Sequence, residues 1–175
     1  MKKIMLVCAA MLSFGTYTAN AQNTFPHKWN VGLSMGFGIA KDDGFMMNSE
    51  LGYSHLIKDT RFRWGVNVGI MNPGITDFEW DDTDDVFMYH SYNYPCGYVD
   101  YAFLTVPNMA LYLHGALAPC WWRETYSYHY EDKFTIMPQL GIGMDVGYVR
   151  MAMNGYATLA GDAGFLFSIG FYFGK

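Results

Sequence analysis

Ser127, His129 and Glu131 stand two residues apart along one alternating segment, so their side chains share a face. Serine, histidine and a carboxylate are the residue types of nucleophilic acyl transfer. Residues two apart on a strand have Cα atoms about 6.5–7 Å apart, which leaves a Ser–His bond possible but not prepared. Asp77, Glu79, Asp81, Asp82, Asp84 and Asp85 form a second set, followed by Tyr89, Tyr92, Tyr94 and Tyr98. Carboxylates at this density attract hard cations such as Ca²⁺, but the spacing lacks the glycine and closing glutamate of a calcium loop. A solvated acidic surface is expected, without metal or cofactor. Tyrosine offers a large area with a polar tip, as a contact surface does or an interfacial aromatic belt. Asp81, Asp82, Asp84, Asp85, Tyr89, Tyr92 and Tyr94 are therefore the expected surface-loop contacts. A third set, Glu50, Arg63, Asp145 and Arg150, is scattered along the chain, always among glycine and asparagine.

What positions these residues is a period-two pattern. Trp29, Val31, Leu33, Met35, Phe37 and Ile39 share a face, backed by Asn30, Gly32, Ser34, Gly36, Gly38 and Ala40. Phe62 to Ile70, Phe134 to Tyr148 and Phe165 to Phe173 repeat the arrangement. Eight segments are read, at about 29–41, 45–57, 62–72, 98–112, 115–129, 134–147, 149–159 and 163–173. The fourth and fifth are apolar on both sides and carry Pro107 and Pro119, so their faces stay open. Turns are expected at 41–44, 58–61, 114–115, 147–148 and 161–162, with one long polar connection at about 72–97. A two-residue turn at Gly147–Tyr148 would set Asp145 opposite Arg150, Gly141 opposite Asn154 and Gln139 opposite Tyr156.

The character of the two faces decides the environment. A soluble barrel needs Lys, Glu and Thr on its wet side; here that side is mostly Gly, Ser, Asn and Ala, suited to a crowded lumen. The other side is almost free of charge, as a lipid-facing surface must be. Segments of this length match the residues a tilted strand needs to cross a bilayer, and closure is required because lipid cannot satisfy an open edge. The expectation is an all-β, eight-stranded antiparallel up-and-down transmembrane β-barrel in one domain, 22–175. Glu50, Arg63, Asp145 and Arg150 are then expected to plug its interior as a hydrogen-bonded network. The alternatives are a soluble periplasmic barrel holding an apolar ligand and a lipid-A-modifying enzyme using Ser127, His129 and Glu131.

The 175 residues are 51% hydrophobic and 15% charged, with 11 Lys+Arg against 16 Asp+Glu and a net charge of −5. This excludes a disordered chain and argues against nucleic acid as a partner. Residues 1–21 read as a secretory signal peptide: basic Lys2 and Lys3, an apolar run from Ile4 to Phe14, and Ala19-Asn20-Ala21 before the cut. Cys96 and Cys120 fall at different heights of this scheme, so no disulfide is expected. His55, His90 and His114 are scattered over belt or turn positions, and Gly141-x-Gly143 lies in mid-strand, unlike a nucleotide loop.

The leader, the eight alternating segments, Phe103-Leu104-Thr105-Val106-Pro107 and the Phe-rich final segment resemble the small outer-membrane beta-barrel proteins of Bacteroidota, the PorT-like and OmpA/OmpX-like eight-stranded barrels. Thr105 stands where that family commonly has an acidic residue, and Phe171-Tyr172-Phe173 is followed by Gly174-Lys175 where members often end on an aromatic residue. The resemblance implies outer-membrane lipid and lipopolysaccharide as surroundings and the barrel assembly machinery as a partner. It says little about molecular activity, because fold does not fix function; the expected role is structural or surface interaction, without catalysis.

Overall fold

The computed structural model describes residues 25–41, 44–58, 60–73, 89–125 and 130–175. Eight strands follow in chain order: β1 Trp29–Ala40, β2 Gly44–Leu56, β3 Phe62–Pro73, β4 Tyr89–Val106, β5 Met109–Thr125, β6 Tyr130–Val146, β7 Val149–Ala157 and β8 Ala163–Gly174. Each is antiparallel to the next, and β8 closes on β1 from Asn30↔Gly174 to Ala40↔Gly164. The sheet therefore has no edge. Both described chain ends lie at one end of the barrel, here the terminal end, where Lys28 N–H and Trp29 N–H donate to the Lys175 carbonyl. The connections there span 57–61, 107–108 and 147–148; those at the opposite, loop end include 74–88 and 126–129.

The β6–β7 register is the one the Gly147–Tyr148 turn predicts, with Asp145↔Arg150, Gly141↔Asn154 and Gln139↔Tyr156. The fourth and fifth strands correct the sequence reading. Their turn is Pro107–Asn108, not His114–Gly115, and His114 and Gly115 lie within β5. Proline fixes its own φ at the corner, and Asn108 takes the left-handed conformation (φ 62°) that asparagine tolerates. A bulge then accounts for the apolar runs: the register shifts between Ala102 and Leu104, and Phe103 and Leu104 both point outward. Pairing between β4 and β5 is also interrupted between Asn93↔Trp121 and Gly97↔Leu117, the stretch that holds Pro95 and Pro119, which have no N–H to donate.

Large inward side chains are accommodated by glycine on the neighbouring strand. Tyr172 pairs with Gly32, Asn48 with Gly36, Asn67 with Gly52, Tyr98 with Gly65, Tyr94 with Gly69, Tyr112 with Gly143, and Asn154 with Gly141. In each case a Cβ on the glycine would collide with the partner side chain. Gly32 is tightly constrained, because its Cβ would meet both the Phe171 carbonyl and the Tyr172 ring. That ring cannot swing away freely, since the Arg150 guanidinium stacks on it at 3.9 Å. Gly32→Ala is expected to destabilise the folded barrel by about 1–3 kcal/mol through overpacking. A urea titration in detergent micelles measures it.

Apart from the first half of β4, the apolar side of the ribbons faces outward. Leu33 (55% exposed), Leu51 (54%), Val68 (57%) and Phe171 (59%) lie in one cross-strand row around β3, β2, β1 and β8. Exposed apolar patches on soluble monomers reach only a few hundred Å², whereas this surface encircles the molecule. Aromatic residues gather at its two margins. Tyr53 with Trp64, Phe62 with Tyr101, and Tyr148 with Phe173 ring the terminal end; Phe37 with Phe45 and Trp121 with Phe134 ring the loop end. This is the girdled exterior of a barrel that crosses a bilayer. No described helix is long and apolar enough to cross one.

Candidate functional site

With the exterior apolar, the chemistry lies inside. Arg63, on β3, is fully buried and holds two carboxylates together. Its Nε and Nη2 donate to Asp100 Oδ2 at 2.9 and 2.6 Å, and its Nη1 donates to Asp145 Oδ2. Asp145 also accepts from Arg150, from Nε to Oδ1 at 2.9 Å and from Nη2 to Oδ2 at 3.3 Å. Asp100 Oδ1 accepts from His114 Nδ1 at 2.7 Å. Register alone produces part of this, since Arg63 is directly opposite Asp100, Asp100 opposite His114, and Asp145 opposite Arg150. The Arg63–Asp145 link then crosses the lumen. Two guanidiniums and two carboxylates make a neutral set in which each charge has several partners, the condition under which buried ions are tolerated.

The chain before β1 covers this cluster from the terminal end. The Phe25 ring, 4% exposed, lies 3.9 Å from the Arg63 guanidinium carbon and 5.7 Å from the Tyr112 ring. His27 Nε2 is 3.1 Å from the Gly147 carbonyl, and its ring stacks on Tyr148 at 4.9 Å. Toward the loop end the lumen is filled by Met46, Met71, Tyr92, Met137, Tyr156 and Leu166. Among the described residues the interior is thus closed at both ends.

Of the four expected network residues, Arg63, Asp145 and Arg150 meet. Glu50 does not join them. Its Oε1 accepts from Tyr94 Oη at 2.7 Å and its Oε2 from Asn67 Nδ2 at 3.1 Å. Asp100 and His114 are members that sequence reasoning missed. Asp100 becomes visible only once the β3–β4 register sets it opposite Arg63, and His114, expected at a turn, only once the Pro107–Asn108 turn sets it opposite Asp100.

The surface role expected for Tyr92 and Tyr94 is corrected. Both belong to β4 and point into the lumen, 0% and 2% exposed. β4 inverts the common pattern here, with Tyr92, Tyr94, Cys96 and Tyr98 inside and Asn93, Pro95 and Gly97 outside. The tyrosines fit because Gly69 and Gly65 of β3 lie beneath Tyr94 and Tyr98. Tyr92 Oη donates to Asp162 Oδ2 at 3.0 Å, in the connection before β8. Cys96 and Cys120 are free thiols packed in the same apolar cluster. His55 is on the exterior beside Trp64. Tyr89 and Glu131 fall within β4 and β6; Asp81, Asp82, Asp84, Asp85, Ser127 and His129 lie outside the described residues.

No protein-family model matches the chain, and no curated protein does. Solved structures do. Neisserial surface protein A superposes with a TM-score of 0.61 at 11% identity, over 83% of this chain and 97% of that one. Ail, the attachment invasion locus protein of Yersinia pestis, gives 0.52 at 11% identity, covering 85% and 100%. The N-terminal beta-barrel domain of Pseudomonas aeruginosa OprF gives 0.50 at 14%, covering 84% and 98%. These are small eight-stranded outer-membrane barrels, and what this chain shares with them is the fold.

Proposed function

We propose that this chain is an exported, integral outer-membrane barrel with a filled lumen, which acts without catalysis, as a structural element or as a surface-contact protein through the connections at its loop end. The observation that carries the reading is the pairing of an apolar, aromatic-girdled exterior with an interior closed by the Arg63–Asp100–Asp145–Arg150 cluster. A charged lumen inside an apolar shell suits lipid outside and tight packing within. The same arrangement disfavours a soluble barrel storing an apolar ligand, which needs the opposite placement of faces. In this reading residues 1–21 are the export signal, the terminal end is periplasmic, and the acidic segment 77–85 faces the cell exterior among lipopolysaccharide. The family proposed is the Bacteroidota PorT-like group, with the barrel assembly machinery as insertion partner.

Expression in a Gram-negative host tests it. The protein should partition with outer membranes, need detergent for extraction, and migrate on a gel as a compact form that boiling converts to a slower one. Reconstituted in a planar bilayer it should be electrically silent. Recovery in the soluble fraction without detergent would overturn the membrane reading, and steady single-channel current would overturn the filled lumen.

A further inference from the structure

One lumen carboxylate stands apart from the arginine cluster. Arg63 and Arg150 pair with Asp100 and Asp145, and His114 Nδ1 lies 2.7 Å from Asp100 Oδ1. Glu50 is left over. It accepts from the Tyr94 hydroxyl and the Asn67 amide, both neutral groups. A half-buried carboxylate bonded only to neutral donors leaves room for a cation beside it.

Beside it lies a small internal cavity, with about 30 Å³ open to the centre of a water-sized sphere. A single water needs about 10–15 Å³ by that measure, so the space holds one ion with a water. Its wall is rich in oxygen: Glu50, Ser34 and Ser168 contribute, and Asp100 and Arg150 border it. Gln139, only 3% exposed, lines the same cavity, and its amide nitrogen has no hydrogen-bond partner. The two ends of an amide are interchangeable by a half-turn, so Gln139 can offer its oxygen instead. Each Glu50 oxygen keeps a free lone pair after its one hydrogen bond.

We propose that this cavity is a binding site for one monovalent alkali cation, sodium or potassium, held by the Glu50 carboxylate with the Ser34, Ser168 and Gln139 oxygens. A single carboxylate among neutral oxygens suits a single positive charge. Divalent ions are disfavoured, because calcium takes six to eight oxygens and magnesium a near-ideal octahedron. No group of three or more His, Cys, Asp or Glu able to hold a metal exists among the described residues.

The site is tested on the full mature barrel refolded in micelles, by urea titrations in sodium, potassium or choline chloride at constant ionic strength. Choline is too large for the cavity. A ligand that binds only the folded state raises the folded-to-unfolded ratio about tenfold for each tenfold rise in its concentration above the dissociation constant. The wild type should show this for sodium or potassium, and Glu50→Gln should be insensitive to the ion and at least as stable as the wild type in choline. A wild type indifferent to the cation, or a Glu50→Gln variant that responds equally, overturns the site. Should Glu50→Gln not refold, wild-type crystals grown with thallium(I) decide: anomalous density beside the Glu50 carboxylate supports the site, and its absence rejects it. None of these readouts depends on where in the cell the barrel resides.

Discussion

Arg63→Ala is expected to cost about 3–5 kcal/mol, enough to leave little compact barrel, because it removes the guanidinium that two buried carboxylates share and strands Asp100. Asp145 would retain Arg150, but Asp100 would keep only His114. The substitution also empties the space beneath the Phe25 ring, so the cover at the terminal end loses its seat. The gel shift between unboiled and boiled samples and a urea titration followed by tryptophan fluorescence measure the loss. Adding Asp100→Asn to Arg63→Ala should recover part of it, since the amide removes the stranded charge while keeping its shape. If the double variant is no more stable than Arg63→Ala alone, charge is not what Arg63 supplies. Arg150→Ala should be milder, because Asp145 would still accept from Arg63.

The second large effect belongs to the exterior. Val68→Arg, in the middle of β3 and 57% exposed, should destabilise the barrel in lipid by about 2–4 kcal/mol. Tyr148→Arg, at the turn between β6 and β7, should cost only about 0–1 kcal/mol, because the polar boundary is within reach. The contrast is the informative quantity. Both positions are similarly exposed, so a water-wetted surface would tolerate the two arginines alike. Folding into lipid vesicles, titrated with urea, compares them directly, and equal costs would place water against Val68.

Much of this architecture was legible in the sequence because alternation is a local signal. Trp29 to Ile39 and Phe62 to Ile70 declare two unlike faces without any neighbour, and Gly147 announces its own turn. What was not legible depended on the adjacent strand. β4 carries its tyrosines inward, which looks like a polar loop until Gly65 and Gly69 are known to lie under them. Phe103 breaks the alternation, so every face after it is inverted unless the bulge is placed. His114 was hidden because its place opposite Asp100 follows from the Pro107–Asn108 turn, and Asp100 because its place opposite Arg63 follows from the β3–β4 register, which alternation does not encode. Glu50 was grouped with the other charges because it shares their glycine-rich face; its separation from them is a matter of height around the barrel, which alternation does not encode.

The matching of tyrosine and asparagine to glycine has a consequence for how such a barrel can diverge. A notch at one position is useful only while its neighbour supplies the projection, so Gly65 and Tyr98, or Gly143 and Tyr112, must drift as couples. Because Gly32 and Tyr172 form one of these couples, the first and last strands are bound by the same constraint, although 140 positions separate them in the chain. Selection on this protein therefore acts around a ring, and the two ends of its sequence inherit change together.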